Sequence, residues 1–101
     1  MKKSNKKLSP VHPGEILRED YLLPLGLSMN QLALDLRVPV TRISEIAHGR
    51  RAISADTALR LSRYFKTTPE FWLNIQTHYD LELAKDKYLP QIESEVRRRT
   101  A

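Results

Sequence analysis

The stretch that decides the fold is residues 28–51, which read SMNQLALDLRVPVTRISEIAHGRR. It holds two short groups of apolar residues at helical spacing: Leu32, Ala33 and Leu36, then Ile43 and Ile46. Val38 lies between the groups, where a tight corner between two helices needs an apolar side chain. The pattern predicts two short helices that pack together through one face each.

The boundaries of these two helices also carry sequence signals. Ser28, with Gln31 following at the required spacing, has the capping-box pattern that begins a helix. Pro39 fits the first turn of the second helix, where its missing N–H costs nothing, and Gly49 fits a left-handed helix end. A second helix this short, with polar residues off its apolar face, is typical of the recognition helix of a helix-turn-helix.

Length and composition limit the class of protein. The chain has 101 residues, enough for one small domain, for which dimerisation is a natural supplement to stability. Cysteine is absent, which excludes disulfides and thiolate metal sites. No apolar run reaches the roughly 18 residues that a membrane span needs, so we expect a cytoplasmic protein without a membrane partner.

The distribution of charge says more about partners than its total. The formal net charge is +5, but four lysines among the first seven residues supply nearly all of that excess, and a basic terminus is often only a solvated tail. Around the predicted helix-turn-helix, basic residues outnumber acidic ones: Arg37, Arg42, Arg50 and Arg51 against Asp35 and Glu45. This local excess favours a polyanionic partner.

Proline, glycine and capping residues divide the rest of the chain. Three further helices are expected: one from Pro13 and Gly14 to Pro24 and Gly26, one capped by Ser54, and one capped by Thr68 with Pro69 in its first turn. We expect Pro90 to end the last of these, with a short or frayed helix beyond it. Since no segment alternates with period two, the fold class is all-α, with five helices and a C-terminal helical extension.

The same boundaries predict the domain organisation. Residues 1–11 form a basic, flexible tail, residues 12–89 form the helix-turn-helix domain, with the motif itself at 28–48, and residues 90–101 form a C-terminal tail.

The fifth helix carries two apolar stripes on opposite sides. One stripe spans a sector of about 120° and consists of Phe71, Trp72, Ile75, Tyr79 and Leu83. The other consists of Leu73, Leu81, Ala84 and Tyr88. We expect the first stripe to dock on the core and the second to form the interface of a homodimer. The alternative is that the C-terminal segment folds back and covers the second stripe.

Three blocks of sequence together resemble one known family. They are HPGEILREDYLLPLGLS at 12–28, RVPVTRISEIAHGRRAIS at 37–54 and DTALRLSRYFKTTPEFWLNIQTHYDL at 56–81. In these blocks the chain resembles the HigA/VapI-type antitoxins, small proteins with the lambda-repressor-like helix-turn-helix fold. The lysine-rich start and the tail after Lys85 show only loose correspondence.

This resemblance implies a function that composition and spacing do not give. Antitoxins of this type neutralise a HigB/RelE-like mRNA endonuclease by binding it, and repress their own operon as dimers on double-stranded operator DNA. A stand-alone repressor of the same fold, without a toxin partner, is the alternative. An RNA- or protein-binding scaffold fits less well, because the outward side of residues 39–47 is polar and suited to reading bases.

The candidate DNA-contacting residues lie on the second helix and at its two flanks. They are Ser28, Gln31, Arg37, Val40, Thr41, Arg42, Ser44, Glu45, Arg50 and Arg51. Arg42 can donate twice to guanine O6 and N7, and Thr41 can combine a hydroxyl contact with packing on a thymine methyl. Glu45 can accept from cytosine N4, or pair with Arg42 along the helix instead.

The remaining candidates suit contacts with the phosphate backbone. Ser28 and Gln31 begin the preceding helix, where repressors of similar fold bind the DNA phosphate backbone. Arg50 and Arg51 either contact phosphates or form a solvated turn. Val40 either touches a methyl group or is half-buried. Arg37 lies in the corner, where many members of the wider fold carry glycine. It is strained if the backbone there has positive φ, unless a different corner geometry removes the problem.

Other chemistries find little support in the sequence. The histidines His12, His48 and His78 are widely separated and form no metal-ligand pattern. The chain's three glycines are isolated at helix boundaries, so there is no phosphate-binding loop. The sequence therefore predicts no enzyme, no metal and no cofactor.

Overall fold

The structure, a computed structural model, describes residues 9–100, and within that range every regular element is a helix and there is no strand. The first helix, α1, has three continuous parts: Pro13–Ile16, a π-helical segment Leu17–Leu22, and Leu23–Leu25. The others are α2 (Met29–Leu36), α3 (Val40–Ala47), α4 (Ala55–Phe65) and α5 (Pro69–Glu95). The all-α, five-helix fold class is confirmed, whereas most of the predicted basic tail, residues 1–8, lies outside the described residues.

Local capping explains where three of the helices begin. Each capping hydroxyl accepts a hydrogen bond from a backbone N–H in the first turn: Ser28 from Gln31 at 3.0 Å, Ser54 from Thr57 at 3.3 Å, and Thr68 from Phe71 at 3.1 Å. Only half of the capping box at Ser28 forms, because the Gln31 side chain donates to Asp35 Oδ1 instead of returning to the cap.

The core lies where all five helices meet. Its buried apolar residues are Leu17, Leu22, Leu32, Ala33, Leu36, Ile43, Ile46, Ile53, Ala58, Leu61 and Trp72. Val38 packs against this cluster from the corner, as the sequence predicted. The Tyr21 ring lies beside Phe65 and Trp72, with centroids 4.7 and 5.3 Å away, so α1 is joined to α4 and α5 through aromatic contacts.

A close approach between two backbones sets the position of α3. A Cβ placed on Gly14 would lie 1.7 Å from the carbonyl oxygen of Ile46, so only glycine fits at this crossing. Beside it, Arg18 Nη1 donates to the carbonyl oxygen of Ala47. The start of α1 therefore holds the C-terminal end of α3 in place.

The structure corrects the predicted end of α5. The helix continues through Pro90 to Glu95, so the expectation that Pro90 ends it was wrong. Proline removes one backbone donor, but helical hydrogen bonding resumes beyond it, where Val96 N–H donates to the carbonyl of Ile92 at 2.7 Å.

The structure also corrects the assignment of residues on α5. Leu73, predicted to lie in the second stripe, is half-buried and packs against the core. Leu83, predicted for the docking stripe, is exposed, whereas Phe71 of the same stripe is 36% exposed and has its ring edge-on to Tyr21 of α1, with centroids 6.5 Å apart. Gln76 is buried, and its side-chain oxygen accepts a hydrogen bond at 2.8 Å from Ile53 N–H, in the loop before α4, which offsets the cost of burying the amide. The docking face therefore centres on Trp72 and Gln76.

In the described part of the chain, no helix combines the length and the apolar character that crossing a membrane requires.

Candidate nucleic-acid interface

Helix α3 turns one side to the core and the other to solvent. Ile43, Ile46 and Ala47 are fully buried, which fixes the rotation of the helix about its axis. The opposite side exposes Thr41. Val40, in the first turn of the helix, is 41% exposed, so its side chain is partly covered and partly open to solvent. Ser44 and Glu45 are partly exposed at the edges of this outward side. The arrangement is that of a recognition helix with a readable polar surface.

The corner between α2 and α3 contains a strained residue. Arg37 adopts the left-handed conformation, with φ 63° and ψ 45°, so the alternative of a relaxed corner geometry was wrong. Val38 N–H donates to the carbonyl of Ala33 at 3.1 Å, which ends α2 in a Schellman-type turn. Pro39 occupies the position just before the first residue of α3, one place earlier than predicted, and makes no side-chain capping hydrogen bond. The Arg37 side chain is exposed at the corner.

The C-terminal end of α3 follows the prediction. Gly49 is left-handed with φ 74°, as expected for a glycine just beyond a helix. Arg50 N–H donates to the carbonyl of Glu45 at 2.7 Å, and the exposed Arg50 side chain forms no ion pair with any described residue. The turn thus presents a free cation directly after the recognition helix.

Arg42 is paired, but with a different partner from the one the sequence suggested. Its Nη1 lies 3.4 Å from Asp56 Oδ2, in the first turn of α4, and the proposed pair with Glu45 does not form. The same Asp56 oxygen accepts from Arg60 Nε at 2.9 Å. The Arg60 hydrogen bond, with the positive charges of Arg60 and Arg42, holds the pKa of Asp56 below its usual value.

Glu45 is bound by the turn that follows its helix. Its Oε1 accepts from Arg51 Nε at 2.7 Å. This exposed ion pair occupies one oxygen of Glu45 and part of the Arg51 guanidinium, so neither side chain is fully free for DNA. Of the two arginines in the turn, Arg50 is the less engaged.

Gln31 is held in a second small network at the start of α2. Its Nε2 donates to Asp35 Oδ1 at 2.8 Å, and the other oxygen of Asp35 accepts from the Tyr64 hydroxyl at 2.6 Å. The hydrogen bonds from Tyr64 and Gln31 lower the pKa of Asp35, and the same contact raises the pKa of Tyr64. The hydroxyl of Ser28 caps α2, and the residue is exposed.

Sequence reasoning missed the side chains that hold the candidate residues Arg42 and Gln31. Asp56, Arg60, Asp35 and Tyr64 were absent from the candidate set, although the spacing of Asp56 and Arg60 along α4 predicts a helical ion pair. Nothing in the sequence indicates that Asp56 also reaches Arg42.

The three histidines do not meet. His12 is buried and caps α1, where its Nδ1 accepts from Gly14 N–H at 2.8 Å. Burial lowers the pKa of His12, although the Asp80 charge and a hydrogen bond with the Arg51 backbone act in the opposite direction. Between residues 9 and 100, no group of metal-ligating side chains has the arrangement needed to hold an ion.

These features define the class of helix-turn-helix DNA-binding proteins. The sequence model of a family described as helix-turn-helix matches residues 17–72. Virulence-associated protein I of Dichelobacter nodosus is 54% identical over 78% of this chain and 73% of its own length. The chain belongs to the HigA/VapI-type branch of the helix-turn-helix family.

Solved structures agree with this assignment. An addiction module antidote protein of the HigA family from Coxiella burnetii superposes with a TM-score of 0.86 at 49% identity, covering 91% of this chain and 100% of its own. The antitoxin HigA of Pseudomonas aeruginosa, solved with the higBA promoter, superposes with a TM-score of 0.87 at 42% identity, covering 90% and 99%. The family is a class of DNA-binding regulators, which confirms the expectation that this protein is not an enzyme.

Proposed function

We propose that this protein is the antitoxin of a type II toxin–antitoxin module. In this proposal it binds operator DNA as a homodimer to repress its own operon, and it binds and neutralises a HigB/RelE-like mRNA endonuclease. The observation that carries the proposal is the exposed polar side of α3, held by the corner at Arg37 in a fold shared with a HigA that was solved on its promoter. The proposed place of action is the cytoplasm, where operon DNA lies.

The proposed reading surface is the outward side of α3. Arg42 donates to a guanine in the major groove, Thr41 and Val40 contact thymine methyl groups, and Ser44 and Glu45 contact neighbouring base edges. The proposal assigns the phosphate backbone to the residues on either side of α3: Ser28, Gln31, Arg37, Arg50 and Arg51. Their exposure and the free Arg50 side chain support this division.

The proposed dimer interface is the exposed stripe on the outer half of α5. Leu81 and Tyr88 remain exposed in it, the half-buried Ala84 lies between them, and Ile92 continues the stripe because the helix runs past Pro90. These four residues follow one another at the spacing of a helix–helix seam. A dimer formed here has to present its two α3 helices roughly 34 Å apart to enter successive major grooves.

The toxin-binding role is tested with both genes under foreign promoters, so that repression cannot account for a rescue. The probe is the product of the short open reading frame beside this gene, expressed alone or with the chain. We expect the product alone to arrest growth, and co-expression to restore growth and yield a co-purifying complex.

The matched control in this experiment is Arg42→Ala, which should still protect cells because toxin neutralisation does not require base reading. If the wild-type chain binds its promoter yet neither protects nor co-purifies, the protein is the stand-alone repressor instead.

A further inference from the structure

A chain of polar contacts connects the proposed reading residue to two other helices. Asp56 Oδ2 lies 3.4 Å from Arg42 Nη1 and 2.9 Å from Arg60 Nε. Arg60 Nη1 in turn donates to the carbonyl oxygen of Leu36 at 2.8 Å, at the end of α2. The Asp56 carboxylate in α4 is therefore held by Arg60, which is itself bonded to the end of α2. The same carboxylate reaches the Arg42 side chain of α3.

A carboxylate in this position needs an explanation. DNA phosphates repel an acidic group, so an aspartate beside the recognition helix opposes binding to any duplex. The first turn of α4 stabilises its charge through the helix dipole. That local role does not require the side chain to reach α3, whereas the observed geometry aims the same oxygen at both arginines.

The effect of Asp56 on Arg42 follows from the flexibility of arginine. An unpaired arginine on a surface samples many rotamers and can contact any phosphate within reach, and a long side chain loses entropy when it is held to one base. Pairing with a fixed carboxylate restricts those rotamers before DNA arrives. Guanine reading also requires the guanidinium to present two donors in one plane, which leaves its remaining donors for a carboxylate.

We propose that Asp56, held by Arg60, is a positioning residue that sets the sequence specificity of the protein by directing Arg42 towards a guanine and away from phosphates. The inference rests on the proposed function, since it concerns how that function's reading residue is aimed. It assigns Asp56 a role in discrimination between sequences, with little expected effect on total affinity.

The test is a double-mutant cycle with wild type, Asp56→Asn, Arg42→Ala and the double variant. Binding is titrated against a duplex carrying the promoter that precedes the gene, a random duplex, and promoter duplexes in which each G·C pair is replaced in turn. The pair at which Arg42→Ala lowers discrimination most, by roughly fivefold or more without abolishing it, is the one that Arg42 reads.

At that pair, Asp56→Asn should lower discrimination by about two- to fivefold, the range expected for an exposed ion pair. Affinity for random DNA should stay equal or rise, because one negative charge is gone. In the Arg42→Ala background, Asp56→Asn should change discrimination no further, since its effect passes through Arg42.

Asp20→Asn is the matched control, because it removes the same charge from an exposed position on α1 where the side chain has no hydrogen bond or ion pair with residues 9–100. It should leave discrimination at the pair unchanged. Thermal unfolding of every variant establishes that the fold is intact.

Two results would overturn the positioning role while leaving the proposed function standing. One is an Asp56→Asn variant that discriminates as well as wild type at the base pair that Arg42 reads. The other is an effect of Asp56→Asn that persists fully without Arg42. A wild-type protein that does not distinguish its promoter from random DNA contradicts the proposed function itself, and the positioning role with it.

Discussion

At the scale of single residues, the recognition region contains one backbone position that local physics disfavours. A non-glycine residue in the left-handed region places its Cβ too close to the following carbonyl, at a cost of about 1–2 kcal/mol. Arg37 occupies that region at φ 63°, and so does Lys66 at the end of α4, at φ 61°. Only Arg37 belongs to the proposed DNA surface, so the two positions allow strain and function to be separated.

Arg37→Gly should raise the free energy of unfolding by about 1 kcal/mol, because the left-handed strain is relieved. It should also weaken binding to promoter and random DNA alike, with the slope of log affinity against log salt reduced by about one unit, because a phosphate contact is lost. Lys66→Gly is the matched control and should give the stability gain alone. Denaturant unfolding and salt-dependent gel shifts measure the two effects. An unchanged salt slope in Arg37→Gly would remove Arg37 from the backbone contacts.

His12 should make stability depend on pH in the weakly acidic range. Burial holds its folded-state pKa below 6.5, so the unfolded chain binds the proton more readily than the folded chain. The contribution of His12 to the free energy of unfolding should therefore be constant above pH 6.5. It should fall as the pH drops through that value towards the lower folded pKa. His12→Asn keeps a capping side chain and should flatten this part of the profile. A profile from pH 5 to 7 that is the same in both proteins would contradict the assignment.

At the scale of elements, the orientation of the recognition helix depends on how closely α1 approaches it. Helices normally keep side chains between their backbones, but here the Gly14 backbone lies against the Ile46 carbonyl. The Arg18 contact with Ala47 strengthens the same junction. Any side chain at position 14 has to push α1 away from the end of α3.

Gly14→Ala should destabilise the fold by about 1–3 kcal/mol or more, since the backbone must shift to admit a methyl group. Gly26→Ala is the comparison, because Gly26 has φ 60° but open space around its missing Cβ, so it should cost only the left-handed strain of about 1–2 kcal/mol. In addition, Gly14→Ala should weaken promoter binding beyond what stability explains, because α3 is displaced. If the folded Gly14→Ala protein binds its promoter as well as wild type does, the α1 junction does not position α3 for DNA.

At the scale of the whole molecule, the outer half of α5 extends beyond the core and remains apolar along one side. Leu81, Tyr88 and Ile92 are each about half exposed and do not belong to the core cluster of the described residues. The alternative of a C-terminal segment folding back over the stripe is wrong, because that segment continues the helix to Glu95. We expect a second copy of the chain to cover this stripe, because binding to an operator by a symmetric dimer requires contact between two copies.

Leu81→Glu combined with Ala84→Glu should give a folded monomer that binds a half-site weakly and has lost cooperative binding to an inverted repeat. Charges in the stripe oppose association without touching Trp72 or Gln76 in the core. Leu59→Glu, at another exposed leucine, should leave the assembly unchanged. Analytical ultracentrifugation decides the point. A monomeric wild type at micromolar concentration, or a dimeric double variant, places the interface elsewhere.

What could be predicted from the sequence was local or periodic. The caps at Ser28, Ser54 and Thr68 act on an amide within their own first turn, and the buried faces of α3 and α4 follow from helical spacing. The same local reasoning failed at Pro90, because a helix can continue past one missing donor. The all-α class, the helix-turn-helix and the polar outward side of α3 were therefore determined by the sequence alone.

The tertiary structure decided which distant residues meet. Asp56 reaches Arg42, Gln76 holds the Ile53 amide, and Tyr64 holds Asp35, each pair joining separate elements. A helical pattern fixes the face on which a side chain lies but not the partner that the packing of helices brings to it. Because these contacts arise only when α2, α3, α4 and α5 assemble around one core, the helix-turn-helix could be predicted from the sequence and the side-chain contacts between its helices and the rest of the fold could not.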